Sequence, residues 1–266
     1  MTRTDSYRLL LNNTRFYILV ATFLLSLGVL AATRLLIPDD QLFVIRLQQI
    51  FGLLCILYWY AALVISPIGY VIGKQRMKKV EFSRRAIGVS AFYFALLHAA
   101  VALWGQLGGF SGLAYLPQIF QWSLLGGLGA LIILFIMAIT SFDAVVRWMT
   151  FKKWKWLHRL VYIGGVVAVL HIWSIGTHLA YTPVQVVALI ALIVLAGLEL
   201  FRVTKLLNRK HLHLERLESG TVFLTLWVIV SVLILMLPFA VQNYHSQHVG
   251  EAKDGNSRGH QHGGLR

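Results

Sequence analysis

The sequence predicts an all-α membrane protein, a bundle of about seven transmembrane helices, and three observations carry that reading. Of its 266 residues 58% are hydrophobic and 13% charged, about half the charged share of an average soluble domain. No Asp, Glu, Lys or Arg occurs from Ala86 to Phe142, from Leu160 to Leu198 or from Ser219 to Gly250. The 24 Lys and Arg lie instead in short clusters between the apolar runs. This composition excludes an ordinary cytosolic enzyme. The segregation also means that the net charge of +14 is not the footprint of a nucleic-acid-binding face.

A helix needs roughly 20 apolar residues to cross the hydrocarbon core, because no backbone polar group can be left to lipid. Seven stretches qualify: Phe16 to Thr33, Gln49 to Ile72, Ala86 to Leu107, Pro117 to Thr140, Leu157 to Ile175, Pro183 to Val203 and Thr221 to Val241. The first could alternatively be read as a signal peptide, since it follows a basic arm and ends near Ala31 and Ala32, although its apolar run is long for one. Glycines 126, 127 and 129 in the fourth stretch are expected to permit close helix packing. No G-x-G-x-x-G or G-x-x-x-x-G-K motif occurs, and the connecting loops are too short for a nucleotide-binding domain.

Lys and Arg beside short spans are retained on the cytoplasmic side. Of the 24 basic residues, 19 fall on the N-terminal arm and on the second, fourth and sixth loops, leaving Arg34, Arg46 and three tail residues for the other side. The N-terminus is therefore expected in the cytoplasm and the C-terminus outside. The single cysteine, Cys55, rules out intrachain disulfides, multi-cysteine metal sites and a C-x-x-C-H heme attachment.

With carboxylates nearly absent from the spans, histidines are the polar groups at depth, and an intramembrane ionisable residue is a candidate functional site. His98 lies 12 residues into a span running outward from Ala86, about 18 Å from its inner end. His171 follows His158 by 13 residues on a second outward span, about 20 Å above it. His98 and His171 thus share a level in the outer half, and two neutral imidazoles on facing helices suit six-coordinate heme iron. The ordinary alternative for each alone is a histidine hydrogen-bonded to a neighbouring helix. On an ideal helix His158 and His171 are about 140° apart, and a bulged turn at Gly164 and Gly165 could change that phase. His178, seven residues past His171 and nearly on its face, reads as a loop residue, or as a competing outer ligand if the helix continues that far. Arg84 stands 14 residues before His98 and close to its face. It is either a snorkelling anchor or a group that faces His158 and contacts a heme propionate.

Two stretches carry a family resemblance: SRRAIGVSAFYFALLHAAVALW from Ser83 to Trp104, and ITSFDAVVRWMTFKKWKWLHRLVYIGGVVAVLHIW from Ile139 to Trp173. Together they resemble the ferric reductase-like transmembrane domain, and within it the MsrQ/YedZ-type heme-binding subunits that partner a periplasmic methionine sulfoxide reductase. The resemblance covers roughly residues 40 to 203. It implies a ferric reductase-like heme-binding core holding one or two b-type hemes, with His98 and His171 as ligands of an outer heme iron and His158 as a candidate ligand of an inner one. It further implies electron transfer across a cell inner membrane, from a cytoplasmic flavin reductase carrying FMN, or from a quinol, to a periplasmic oxidoreductase or a ferric or cupric ion.

The expected organisation is an arm and first helix (1–46), the core (47–203), a loop with an extra seventh helix (204–241) and a tail outside (242–266). The seventh helix and the tail depart from the heme-subunit pattern. In the tail His245, His248, His260 and His262 stand among Gly, Ser and Gln, a composition that builds no core but whose spacing could capture a metal ion. The alternative function is a non-redox transporter using histidines as proton or metal relays. Such carriers usually place a carboxylate at depth, and only Glu199 is available, three residues from Arg202.

Overall fold

The structure is a computed structural model that describes residues 3–176, 179, 181–210 and 224–236. Among these every regular element is helical. Six stretches are long and apolar enough to cross a membrane, with a shorter apolar helix inside the expected seventh. Helix α1 is Arg3–Leu36, α2 Asp40–Ile72 and α3 Lys74–Ala100, which continues into a π-helical segment Val101–Gln106. A 3-10 turn, Phe110–Tyr115, leads to α4 (Gln118–Ile139). Two short helices follow, α5 (Asp143–Trp148) and α6 (Phe151–Leu157). The chain continues through α7 (Leu160–Ile175), α8 (Thr182–Lys210) and α9 (Leu224–Met236).

The chain forms two compact units, residues 1–117 with 124–169 and residues 118–123 with 170–266. In the first, α2 starts where Asp39 caps it by accepting from the Leu42 N–H at 2.7 Å, the usual means of satisfying a helix N-terminus. It ends at Gly73, whose φ of 108° favours a residue without a Cβ and lets the chain reverse directly into α3. Leu47, Phe51, Cys55, Trp59 and Ala62 recur every three or four residues on α2 and are buried. One stripe of α2 therefore packs inward. From α3, Phe94 is fully buried against Phe51 and Tyr58, with ring centroids 6.1 and 5.4 Å away. Large apolar side chains along α1 and α4 stay exposed, as expected where the solvent is lipid.

Helix α1 meets α3 through hydroxyls. Thr22 Oγ1 donates to the Ile18 carbonyl, so the 2.8 Å contact with Ser90 Oγ has Ser90 as donor. One turn on, Ser26 Oγ donates to Phe23 O and accepts from the Tyr93 hydroxyl at 2.8 Å. Each hydroxyl carries its own way of being satisfied in a medium that offers none.

Two expectations need correction. Gly164 and Gly165 lie within an unbroken α7, and the interruption falls at His158 and Arg159, between α6 and α7. The phase of His158 is therefore reset at a helix junction. For two of the three α4 glycines close packing is not found: a Cβ at Gly126 would make only ordinary contact with Val167, and one at Gly129 would meet nothing within 4 Å. Close packing uses Gly164 instead, where a Cβ would lie 3.0 Å from Ile133 and 3.3 Å from Trp59.

Ser90 is fully buried, which separates two substitutions. Ser90→Ala leaves Thr22 bonded to Ile18 and is expected to cost about 0.6 kcal/mol, the average for such bonds between membrane helices. Ser90→Leu has no room and should detach α1 from α3. Thermal unfolding, with cysteine cross-linking of the two helices, distinguishes a small shift from lost proximity.

Candidate functional site

His98 sits near the C-terminal end of α3, just before the π-helical segment. Its imidazole lies against α2, with Nδ1 2.9 Å from the Gln48 carbonyl oxygen. A carbonyl only accepts, so the ring's proton is on Nδ1 and its lone pair on Nε2. Gly52, one turn beyond Gln48, makes the approach possible. A Cβ there would lie 2.8 Å from His98 Nδ1 and 3.1 Å from Cε1. The Gln48 side-chain oxygen also accepts from Gln106 at 3.2 Å, tying the π-helical segment to the residue that holds the histidine.

His171 belongs to the second unit and shows the same arrangement. Its Nδ1 is 2.7 Å from the Ser123 carbonyl, again assigning the proton to Nδ1 and the lone pair to Nε2. The Ser123 hydroxyl donates to the His171 carbonyl at 3.4 Å and lies 3.5 Å from Nδ1. Backbone carbonyls that fix the tautomer and ring orientation are the usual support of a metal-ligating histidine.

His158, the C-terminal cap of α6, is held differently. Its Nε2 is 3.2 Å from Thr140 Oγ1, whose proton is directed to the Ile136 carbonyl at 2.7 Å. Nε2 is therefore the donor, and the tautomer is opposite to that of the other two. Trp154 covers the ring at 4.2 Å between centroids and donates from Nε1 to the Thr140 carbonyl at 2.9 Å. On the indole lies the Arg85 guanidinium, 4.9 Å from the ring centroid. Arg85 also pairs with Asp143 at 2.8 Å, and Arg15 pairs with the same carboxylate at 3.2 Å. This cluster joins α1, α3, the α4 end, α5 and α6.

Arg84 donates through Nε to the Ala62 carbonyl at 2.8 Å. Within the first unit the structure groups Arg85 with His158 through Trp154 and sets Arg84 against α2. It places His98 on another part of that unit and His171 in the second. Glu199 pairs with Arg202 at 2.7 Å within α8. His178 and the tail histidines 245, 248, 260 and 262 lie outside the described residues. Among the described residues no three His, Cys, Asp or Glu side chains gather closely enough to hold a metal ion.

Sequence reasoning missed Gly52, Gln48, Ser123, Thr140 and Trp154. Gly52 carried a signal, as a glycine inside an apolar run marks a close approach. The others act through backbone carbonyls or through partners distant in sequence, which no spacing reveals.

Residues 50–169 match the family described as ferric reductase like transmembrane component. Curated relatives include the protein-methionine-sulfoxide reductase heme-binding subunit MsrQ of Herminiimonas arsenicoxydans, 32% identical over 115 residues, which are 42% of this chain and 52% of that protein. The MsrQ of Ralstonia nicotianae is 30% identical over 116 residues, 42% and 50% of the two chains. That of Deinococcus radiodurans is 35% identical over 91 residues, 34% and 44%. The chain spans about half the length of the curated relatives it matches. No solved structure matches.

Because Trp154 joins Arg85, Thr140 and His158, its removal should loosen the α6–α7 junction. Trp154→Ala is expected to speed proteolysis between Thr150 and Arg159. Trp154→Phe, which retains a ring but no N–H donor, should fall between it and the parent. Equal cleavage in all three proteins would show that the stack does not hold the junction.

Proposed function

With residues 50–169 matching the ferric reductase like transmembrane component, we propose that this multi-pass membrane protein is a b-type heme electron-transfer subunit in which His98 and His171 would hold the heme iron. One observation carries the proposal: both imidazoles donate from Nδ1 to a main-chain carbonyl, so both hold the Nε2 lone pair that iron requires. A heme supplies the one-electron couple. The chain's own residues orient the two rings, and Gly52 leaves the space that one of them occupies. The donor set thus fits the group, and the level that chain length assigns to His98 and His171 supports pairing them.

The charge distribution supports a cytoplasmic N-terminus and an outer C-terminus, which puts His98 and His171 nearer the outside. Electrons would enter at the basic end, from a cytoplasmic flavin reductase bearing FMN or from a quinol. They would leave to a periplasmic oxidoreductase or a ferric or cupric ion, the membrane being the cell inner membrane. The curated relatives, named as heme-binding subunits of a methionine sulfoxide reductase, support the oxidoreductase acceptor. If a second heme is bound, His158 would hold it and Arg84 would be its propionate partner. The heme count tests this directly.

A pyridine hemochrome assay on the purified chain is expected to give about one protoheme per polypeptide. A ratio near two would bring His158 into ligation, and none after expression in heme-replete cells would favour the transporter reading. His98→Ala and His171→Ala should each lose most of the heme while still inserting, whereas full retention in both would end the assignment. Gly52→Ala should keep the ligand but displace the ring, giving partial heme loss or a shifted reduction potential. Deleting residues 242–266 separates the acceptors, since undiminished metal-ion reduction would leave the tail histidines no part in it.

A further inference from the structure

The segment from Asp143 to Leu157 is distinct from its neighbours. It separates the ends of two apolar helices, yet its two short helices place Trp148, Phe151 and Trp156 in the open at 84%, 65% and 68% exposure. Between and beside these rings Arg147, Lys152, Lys153 and Lys155 are also exposed. Its one acidic residue, Asp143, is engaged by Arg15 and Arg85 and does not offset the lysines. Three large rings alternating with four cations suit neither water nor hydrocarbon. They suit the boundary, where indoles sit at headgroup level and ammonium groups meet phosphates.

Connectivity keeps the segment near that boundary, with α6 opening the apolar stretch Phe151–Ile175. Only Thr140, Ser141 and Phe142 separate it from the end of α4, and only His158 and Arg159 from the start of α7. At about 3.6 Å per residue such tethers keep both ends within roughly 15 Å of hydrocarbon. Trp154 anchors the middle inward, through Arg85 and the Thr140 carbonyl. A soluble acidic protein could meet the lysines, but it would leave the exposed rings no reason to be apolar.

We propose that α5 and α6 form a docking surface for anionic phospholipid headgroups: the lysines and Arg147 bind the phosphates, and Trp148, Phe151 and Trp156 seat in the interfacial layer. Clusters of basic residues next to a transmembrane helix attract anionic lipid in this way. Trp154 then couples the seating of this segment to the hold on His158.

The test uses the full chain in nanodiscs of phosphatidylcholine alone or with phosphatidylglycerol, reading the melting temperature, and mass spectrometry of the anionic lipid that survives detergent washing. The parent should retain phosphatidylglycerol and melt several degrees higher with it. The variant carrying Lys152→Gln, Lys153→Gln and Lys155→Gln should lose both effects while inserting normally. If that variant fails to insert, a salt titration of the parent stands in, because binding to phosphates must weaken as salt rises. Equal lipid retention and melting in parent and variant, or a parent shift indifferent to salt, would overturn the proposal. So would an absence of any response to phosphatidylglycerol combined with lysine-dependent binding of an acidic soluble protein in phosphatidylcholine discs.

Discussion

A polar group that this chain carries into hydrocarbon is costly unless it is satisfied inside the protein, and much of the described structure follows from that constraint. Water is not available to complete a valence, so most side-chain donors are committed to a particular acceptor, the buried indole nitrogens of Trp59 and Trp173 being exceptions among the described residues. The commitments then fix geometry. Thr22, Ser26, Ser90 and Tyr93 register α1 on α3, and Trp154 binds the end of α4 to α6. In the same manner Gln48 and Ser123 decide which nitrogen of His98 and of His171 bears the proton.

That last commitment links packing to chemistry. An imidazole satisfied at Nδ1 by a carbonyl is also an imidazole aimed by it, and its remaining nitrogen has the electron pair that a metal would take. His158 illustrates the opposite outcome under the same rule, because the hydroxyl it meets has already spent its proton on Ile136. Three histidines of similar sequence setting thus divide two to one by what lies opposite the ring. The distinction is electronic, although it originates in helix contacts.

Much of the fold was legible in the sequence because the bilayer acts as a length filter. Uncharged runs as long as Ala86 to Phe142 had to hold membrane-crossing helices, and six long apolar stretches answer to six of the seven runs. His98, His158 and His171 stood out because so little else polar shared their depth. What stayed hidden depends on helix-to-helix register. Gly52 matters through a ring 46 positions away, and Thr140 through a partner across a helix junction. The break at His158 and Arg159 was invisible for a similar reason, since nothing in L-H-R-L opposes a continuous helix and the clamp that interrupts it is tertiary.

The π-helical turn from Val101 to Gln106 has a consequence for how such a chain can change over time. A wide turn is what an α-helix becomes when it absorbs one surplus residue without disturbing what precedes it. Placed directly after His98, it makes the stretch beyond the histidine a reservoir of slack: loss of a single codon there could be accommodated by tightening to ordinary helical pitch. Unbroken α7 has no such allowance, and one residue gained or lost between Leu160 and His171 would swing that ring by about 100°. The two histidines would then stand under unequal tolerance to insertion and deletion, lenient on the far side of one and strict on the approach to the other.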